Sequence, residues 1–207
     1  MSRTYQLDTE SAKQAENIGA HISETGCYIG TLISAESIVS RNKSEGVELS
    51  FKSDEGQTAN FITLWTHNKD GKELYSLKTL NALMTCVEAR TLTPIAGKIE
   101  KRVDGNKQIV SATIFPELTS KRVGLLLQKA PYTKGDGSAG YKMEIFVPFE
   151  AATKRTAREK LDKVIKGEAL PKLIAMLKDK PMQQMANANS SHGPAPTGEE
   201  FCDDITN

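Results

Sequence analysis

A chain of 207 residues has room for one domain of ordinary size with appendages. Its 38% hydrophobic content supports a core, and no run reaches the roughly 18 apolar residues of a membrane helix. The net charge of +1 conceals an asymmetry: residues 1–180 carry 27 basic and 22 acidic side chains, whereas residues 181–207 hold Glu199, Glu200, Asp203 and Asp204 and no Lys or Arg.

A basic body attracts polyanions, and an acidic tail competes for the same surface or recruits partners; equally, a net +5 over 180 residues is modest and singles out no partner. Cys27, Cys86 and Cys202 are far apart and form no CxxC. They fit a reduced cytoplasm better than a disulfide framework or a zinc site. The N-terminus lacks the apolar stretch of a secretory signal. The expected location is therefore the cytoplasm. The histidines, His21, His67 and His192, are scattered, and there is no P-loop, HExxH or G-x-S-x-G. No catalytic residue, cofactor or metal is expected, and the chain reads as a non-enzyme.

In chain order, residues 1–24 are polar, and Ser11 to Gln14 has the form of a capping box. They read as an arm or a short helix. Strand signals follow from Gly26. Cys27, Ile29, Thr31 and Ile33 fall on one face and Tyr28, Gly30 and Leu32 on the other. Gly30 marks an expected bend or bulge. Val47, Leu49 and Phe51 alternate with Glu48, Ser50 and Lys52, and Ala59–Thr66 completes a three-stranded meander.

The third strand allows two orientations. If Ile62 and Leu64 face the core, Phe61, Thr63 and Trp65 face outward and form a platform on which bases can stack. In the other orientation Phe61 and Trp65 are core residues. Lys52, His67, Lys69 and Lys72 lie close by in sequence and could meet phosphates. Ser76–Arg90 has the apolar spacing of a core-packing helix, with Ser76 as its expected N-cap. Residues 97–108 are dense in Lys and Arg around Asp104-Gly105. They read equally as a phosphate-contacting hairpin or a solvated one.

Val123–Lys129 and Tyr141–Phe149 flank a loop of turn residues and predict a long β-hairpin. Alternation places Met143, Ile145, Val147 and Phe149 on the core face, with Lys142, Glu144 and Phe146 opposite. Within the loop, Gly135 to Gly140 matches GxGxxG. A dinucleotide site needs a helix after the motif, and strand pattern follows here. Thr156 to Glu159 is a capping box that opens a short amphipathic helix, and Pro171 sits at the start of a second. Residues 182–198 have no core-forming pattern.

FITLWTHN, LNALMTC, FPELTSKRVGLLLQK, YKMEIFVPF and TAREKLDK occur here in that order. In these motifs the chain resembles a family of phage-encoded single-stranded DNA-binding proteins, over most of residues 20–180. The resemblance implies a mainly β fold with accessory helices: an OB-like antiparallel β-barrel at 25–150, short helices at 151–180, and a disordered linker with an acidic tail at 181–207. It implies sequence-independent binding of single-stranded DNA in phage replication and recombination. The implied surface is the face of strands two and three with its flanking loops: Lys52, Phe61, Trp65, Lys69, Lys72, Tyr132, Lys134 and Lys142. Replication or recombination proteins are partners implied for the tail, through Glu199, Glu200, Phe201, Asp203 and Asp204. The bacterial counterparts end in a Phe. This chain ends Ile205-Thr206-Asn207, so recruitment that needs a terminal Phe is in doubt. The competing reading is an OB-like interaction or recombination-accessory module without strong DNA binding of its own. No membrane partner is expected.

Overall fold

A single long strand, β1 (Gly26–Val39), is the scaffold of the fold in the computed structural model, which describes residues 21–103 and 106–182. Along one edge β1 pairs antiparallel with β2 (Glu45–Ser53), which pairs with β3 (Thr58–His67). Its other edge is shared. The N-terminal half takes β6 (Arg122–Thr133), and Glu36 alone pairs with Ile114 of β5 (Asn106–Ile114). β5 forms a hairpin with β4 (Ile95–Val103), and β6 forms one with β7 (Ala139–Phe149). The result is mainly β, a seven-stranded antiparallel sheet.

The sheet is not closed, because no ladder joins β3 to β7. His21–Thr25 runs from β3 to β6 instead. The Ile22 N–H donates to the Thr58 carbonyl at 2.8 Å, and the Lys129 N–H donates to Thr25 Oγ1 at 2.8 Å. A helix, α1 (Ser76–Val87), packs against β3 and β7.

Alternation holds along β2, with Val47, Leu49 and Phe51 inward, and along β1 and β3 as far as their register slips. Leu32, Leu49, Phe51, Ile62, Leu83, Leu125 and Leu127 are all fully buried in one core. Each such side chain contributes about 1.5–3 kcal/mol of burial. Helix α1 adds Leu80, Leu83, Cys86 and Val87. It ends three residues before Arg90, where Glu88 takes a left-handed φ of 61°. Ser76 is not its cap: Tyr75 holds that position and makes no side-chain capping bond.

The expected bulge at Gly30 is displaced. The register slips between Leu32 and Ser34, leaving Ile33 extra and exposed. Gly30 instead permits close approach, since a Cβ there would lie 2.1 Å from the Lys52 carbonyl oxygen.

A second slip corrects the hairpin faces. Leu126 pairs with Val147 and Leu127 with Ile145, so Phe146 is an inserted residue. Met143 and Ile145 enter the main core, but Val147 and Phe149 are turned to the opposite face. There, with Leu126, Ile29 and Phe146, they form a second cluster. α3 (Ala169–Met176) covers it through Leu170 and Leu173, and Leu177 follows.

Most of the anticipated loop between β6 and β7 is strand as well. The ladder continues to Thr133–Ala139, and the tip is only Lys134–Ser138. Gly137 takes φ 82° at that tip, Gly140 lies in β7, and no helix follows the GxGxxG letters.

The capping box of α2 (Ala157–Leu161) forms as read. Glu159 is buried, and its carboxylate accepts from the N–H of Thr156 (2.9 Å), Glu168 (2.6 Å) and Ala169 (2.8 Å) and from the Thr156 hydroxyl (3.0 Å). One carboxylate thus ties the start of α2 to the start of α3. Burial pushes its pKa up, but these donors outweigh burial and hold it at about 2. The Ser11–Gln14 box, the Asp104-Gly105 turn and the acidic tail lie outside the described residues.

Candidate nucleic-acid interface

Of the two orientations open to the third strand, the structure has Ile62 and Leu64 in the core. Thr63 lies directly opposite Glu48 on the outward face of β2. Trp65 lies outward and half-buried, seated over Gly46. A Cβ at Gly46 would come within 2.9 Å of the indole Cε3. Glycine there leaves room for the ring and for the Leu64 carbonyl, which a Cβ would meet at 2.7 Å.

Phe61 is the most unusual residue of this face. Ser50 faces two residues of β3, Asn60 and Phe61, because the register slips between Leu49 and Phe51. In such bulges the left-handed position usually belongs to glycine. Here Phe61 occupies it with φ 59° and leaves its side chain 62% exposed. A bulky residue in that region costs about 1–2 kcal/mol. Among the described non-glycine residues with positive φ, Phe61 is the only one inside a strand, and strain of this kind clusters at functional sites.

The basic side chains fall into two groups. Lys52 is exposed at one end of the β2–β3 ladder, opposite Thr58. Lys69 and Lys72 are exposed at the other end, in a turn held by Asn68, whose Oδ1 accepts from the N–H of Asp70 and Lys72 at 2.9 Å each. Phe61 and Trp65 lie between them, on a strip about 30 Å long at strand rise.

Tyr132, Lys134 and Lys142 form the second group, on the β6–β7 hairpin. Tyr132 and Lys134 crowd Gly140, where a Cβ would sit about 3 Å from both. Lys142 pairs with Glu144 at 2.8 Å, and Lys180 pairs with the same carboxylate. Burial pushes Glu144 up, and the two lysines outweigh it and lower its pKa. Residues 178–180 lie along β6: the Lys180 N–H donates to the Lys129 carbonyl and Gln128 donates to the Lys178 carbonyl. This hairpin face is therefore partly occupied, whereas the β3 face is open among the described residues. Glu199, Glu200, Phe201, Asp203 and Asp204 lie outside the described residues.

Four further residues belong beside these groups. Arg41 and Lys43 are exposed in the β1–β2 turn, at the same ladder end as Lys69 and Lys72, because Glu45 pairs with both Val39 and His67. Tyr75 is 80% exposed, with Lys78 Nζ 5.7 Å from its ring centroid. It follows Leu74, whose N–H donates to the Thr66 carbonyl. Tyr141 is exposed on the other face of the hairpin, with Lys129 Nζ 5.0 Å from its ring. Tyr141 was legible, being two residues before core-facing Met143. The position of Tyr75 depends on how the chain turns into α1, and no periodicity encodes that.

The β4–β5 hairpin reaches the outward face of β1 and β2 through one side chain. Glu36 and Glu48 are direct cross-strand neighbours. Lys101 of β4 reaches both, at 2.5 Å and 3.6 Å. Partial burial works against the Lys101 charge, and the two carboxylates outweigh it and raise its pKa.

Among the described residues, no group of three or more His, Cys, Asp or Glu could hold a metal ion, and no helix is long and apolar enough to cross a membrane. Comparison with protein-family models and with curated proteins returns no match.

Proposed function

We propose that this protein binds single-stranded DNA without sequence preference, by stacking bases on Phe61 and Trp65 and meeting phosphates with Lys52, Lys69 and Lys72. The observation that carries this reading is Phe61: an exposed aromatic held in a left-handed bulge, on the same face as the half-exposed Trp65. Base–aromatic stacking tolerates any sequence, since every base has a π-face. The element order supports an OB-like description, with a meander, a helix, then β6 returning to β1 and β7 beside it. The β4–β5 hairpin is then an insertion. Action in phage replication and recombination, in the host cytoplasm, follows from the family resemblance alone. Competition by the acidic tail follows from the charge asymmetry as well, and removal of the tail then tightens DNA binding.

The test is a fluorescence titration of Trp65, the only tryptophan, with an oligothymidylate at low and moderate salt, against a duplex control. Quenching by the single strand that weakens with salt is the expected result. Binding in a gel shift without quenching moves the site away from β3. No binding by either method removes the function.

A specific observation favours a second reading, that of an interaction module. Leu161, Ile165 and Met176 in the α2–α3 region are 70%, 94% and 65% exposed. Failure of the DNA titration makes this the leading reading.

A further inference from the structure

Strand β4 ends the sheet. It pairs with β5 on one side, and among the described residues its other edge pairs with no strand. That edge runs the nine residues Ile95–Val103. Such a row of unpaired backbone donors and acceptors is a template for another strand. Alternation divides its side chains. Ile95, Gly97, Ile99 and Lys101 share one face, where Lys101 is committed to Glu36 and Glu48. Ala96, Lys98 and Glu100 share the other, and all three are exposed.

Charge on an edge ordinarily repels an incoming strand. The order of signs on β4 does the reverse for one occupant, a second copy of β4 running antiparallel. Only alternate residues of an edge turn their N–H and C=O outward, so two identical edges meet about a two-fold axis that passes beside a residue. Centred on Lys98 or on Glu100, the register sets like charge against like. Centred on Ile99, the midpoint of the strand, all nine residues pair. Lys98 then faces Glu100 of the second copy, and Glu100 faces Lys98 of the second copy. Opposite charges meet twice on the exposed face, and directly opposed pairs of that kind stabilise a sheet. On the other face Val110 already lies beside Ile99, and both are only partly buried. The axis sets Ile99 against Ile99 and continues an apolar row across four strands. Lys101 falls opposite Gly97 of the second copy, which brings no side chain beside its ion pairs.

We propose that the free edge of β4 is the interface of a two-fold dimer of this chain, with β4 pairing antiparallel to β4 of a second copy about Ile99. The coincidence that carries it is that the register of greatest backbone pairing is also the register in which the charges match. The dimer is independent of the single-strand reading, since none of its residues lies on the β3 face.

Charge reversal supplies the experiment. Lys98→Glu replaces the two ion pairs across the axis by four acids, and Glu100→Lys replaces them by four bases. In sedimentation velocity of the full-length protein over a concentration series, the wild type is expected to dimerise. Either variant alone is expected to raise the dimer Kd at least roughly tenfold. Mixed in equal amounts, the two variants regain both ion pairs and form a mixed dimer that recovers most of the lost affinity. A misfolded variant cannot produce that recovery. Wild-type protein that stays monomeric throughout the series, a dimer unmoved by either variant, or a loss that mixing does not restore overturns the proposal.

Discussion

The outward faces of β3 and of the β6–β7 hairpin are written in the same alternating pattern and meet different fates. On β3, Phe61 and Trp65 stay open, and among the described residues no other segment is laid along that face. On β6–β7, the outward residues near Gln128 and Glu144 receive residues 178–180, while Phe146, Val147 and Phe149 are packed under α3. Alternation therefore reports which side a residue takes, and what covers that side is a separate matter. The open face carries backbone strain at Phe61, and the covered face gains burial and ion pairs. That contrast is why the proposed stacking site is assigned to β3.

The contrast breaks most sharply at Phe61. Phe61→Gly removes the ring and relieves the left-handed strain. The expected result is unchanged or higher folding stability in urea melts, with oligothymidylate affinity down by roughly 5- to 100-fold. Combined with Trp65→Ala, measured by fluorescence anisotropy of a labelled oligonucleotide, the loss grows further. A drop in both stability and affinity at Phe61→Gly contradicts the account of a site that sacrifices stability.

The covered side is sharpened by acid. Glu159 and Glu150 are held at about 2, against an ordinary 4.5. For Glu150, burial acts upward, and the Lys160, Thr153 and Arg155 side chains outweigh it. Both folded pKa values lie below the unfolded ones, so their stabilisation is complete above about pH 4.5 and lost as pH falls toward 2. Thermal melts across that window should show the loss. Glu159→Gln should flatten the slope and cost about 1–3 kcal/mol at neutral pH, through the weakened backbone bonds.

Smaller effects separate the two groups of lysines. Lys69→Ala/Lys72→Ala should reduce the slope of log K against log salt by about 0.7 for each phosphate that is no longer neutralised. Lys142→Ala should change affinity by less than about twofold, because that ammonium is already paired with Glu144 at 2.8 Å. Equal slopes for all three lysines, measured in one salt series, would erase the distinction between the open and the occupied face.

Elements whose signals are local are legible in the chain alone. The alternation of Val47, Leu49 and Phe51, the apolar stripe of α1 and the Thr156–Glu159 capping box each depend on neighbours within a turn or a strand. The candidates on β3 were legible for the same reason, once Ile62 and Leu64 are taken as core. The rest depends on contacts between segments distant in the chain. A bulge inserts one residue, and at Phe146 that insertion turned Val147 and Phe149 away from the core, because period-two alternation has no memory across a slip. Bulging at Asn60–Phe61 likewise follows from pairing with Ser50. The Lys101 bridge to Glu36 and Glu48 joins residues 65 and 53 positions apart. Such bridges form only when strands distant in sequence are brought side by side, and no local pattern records them.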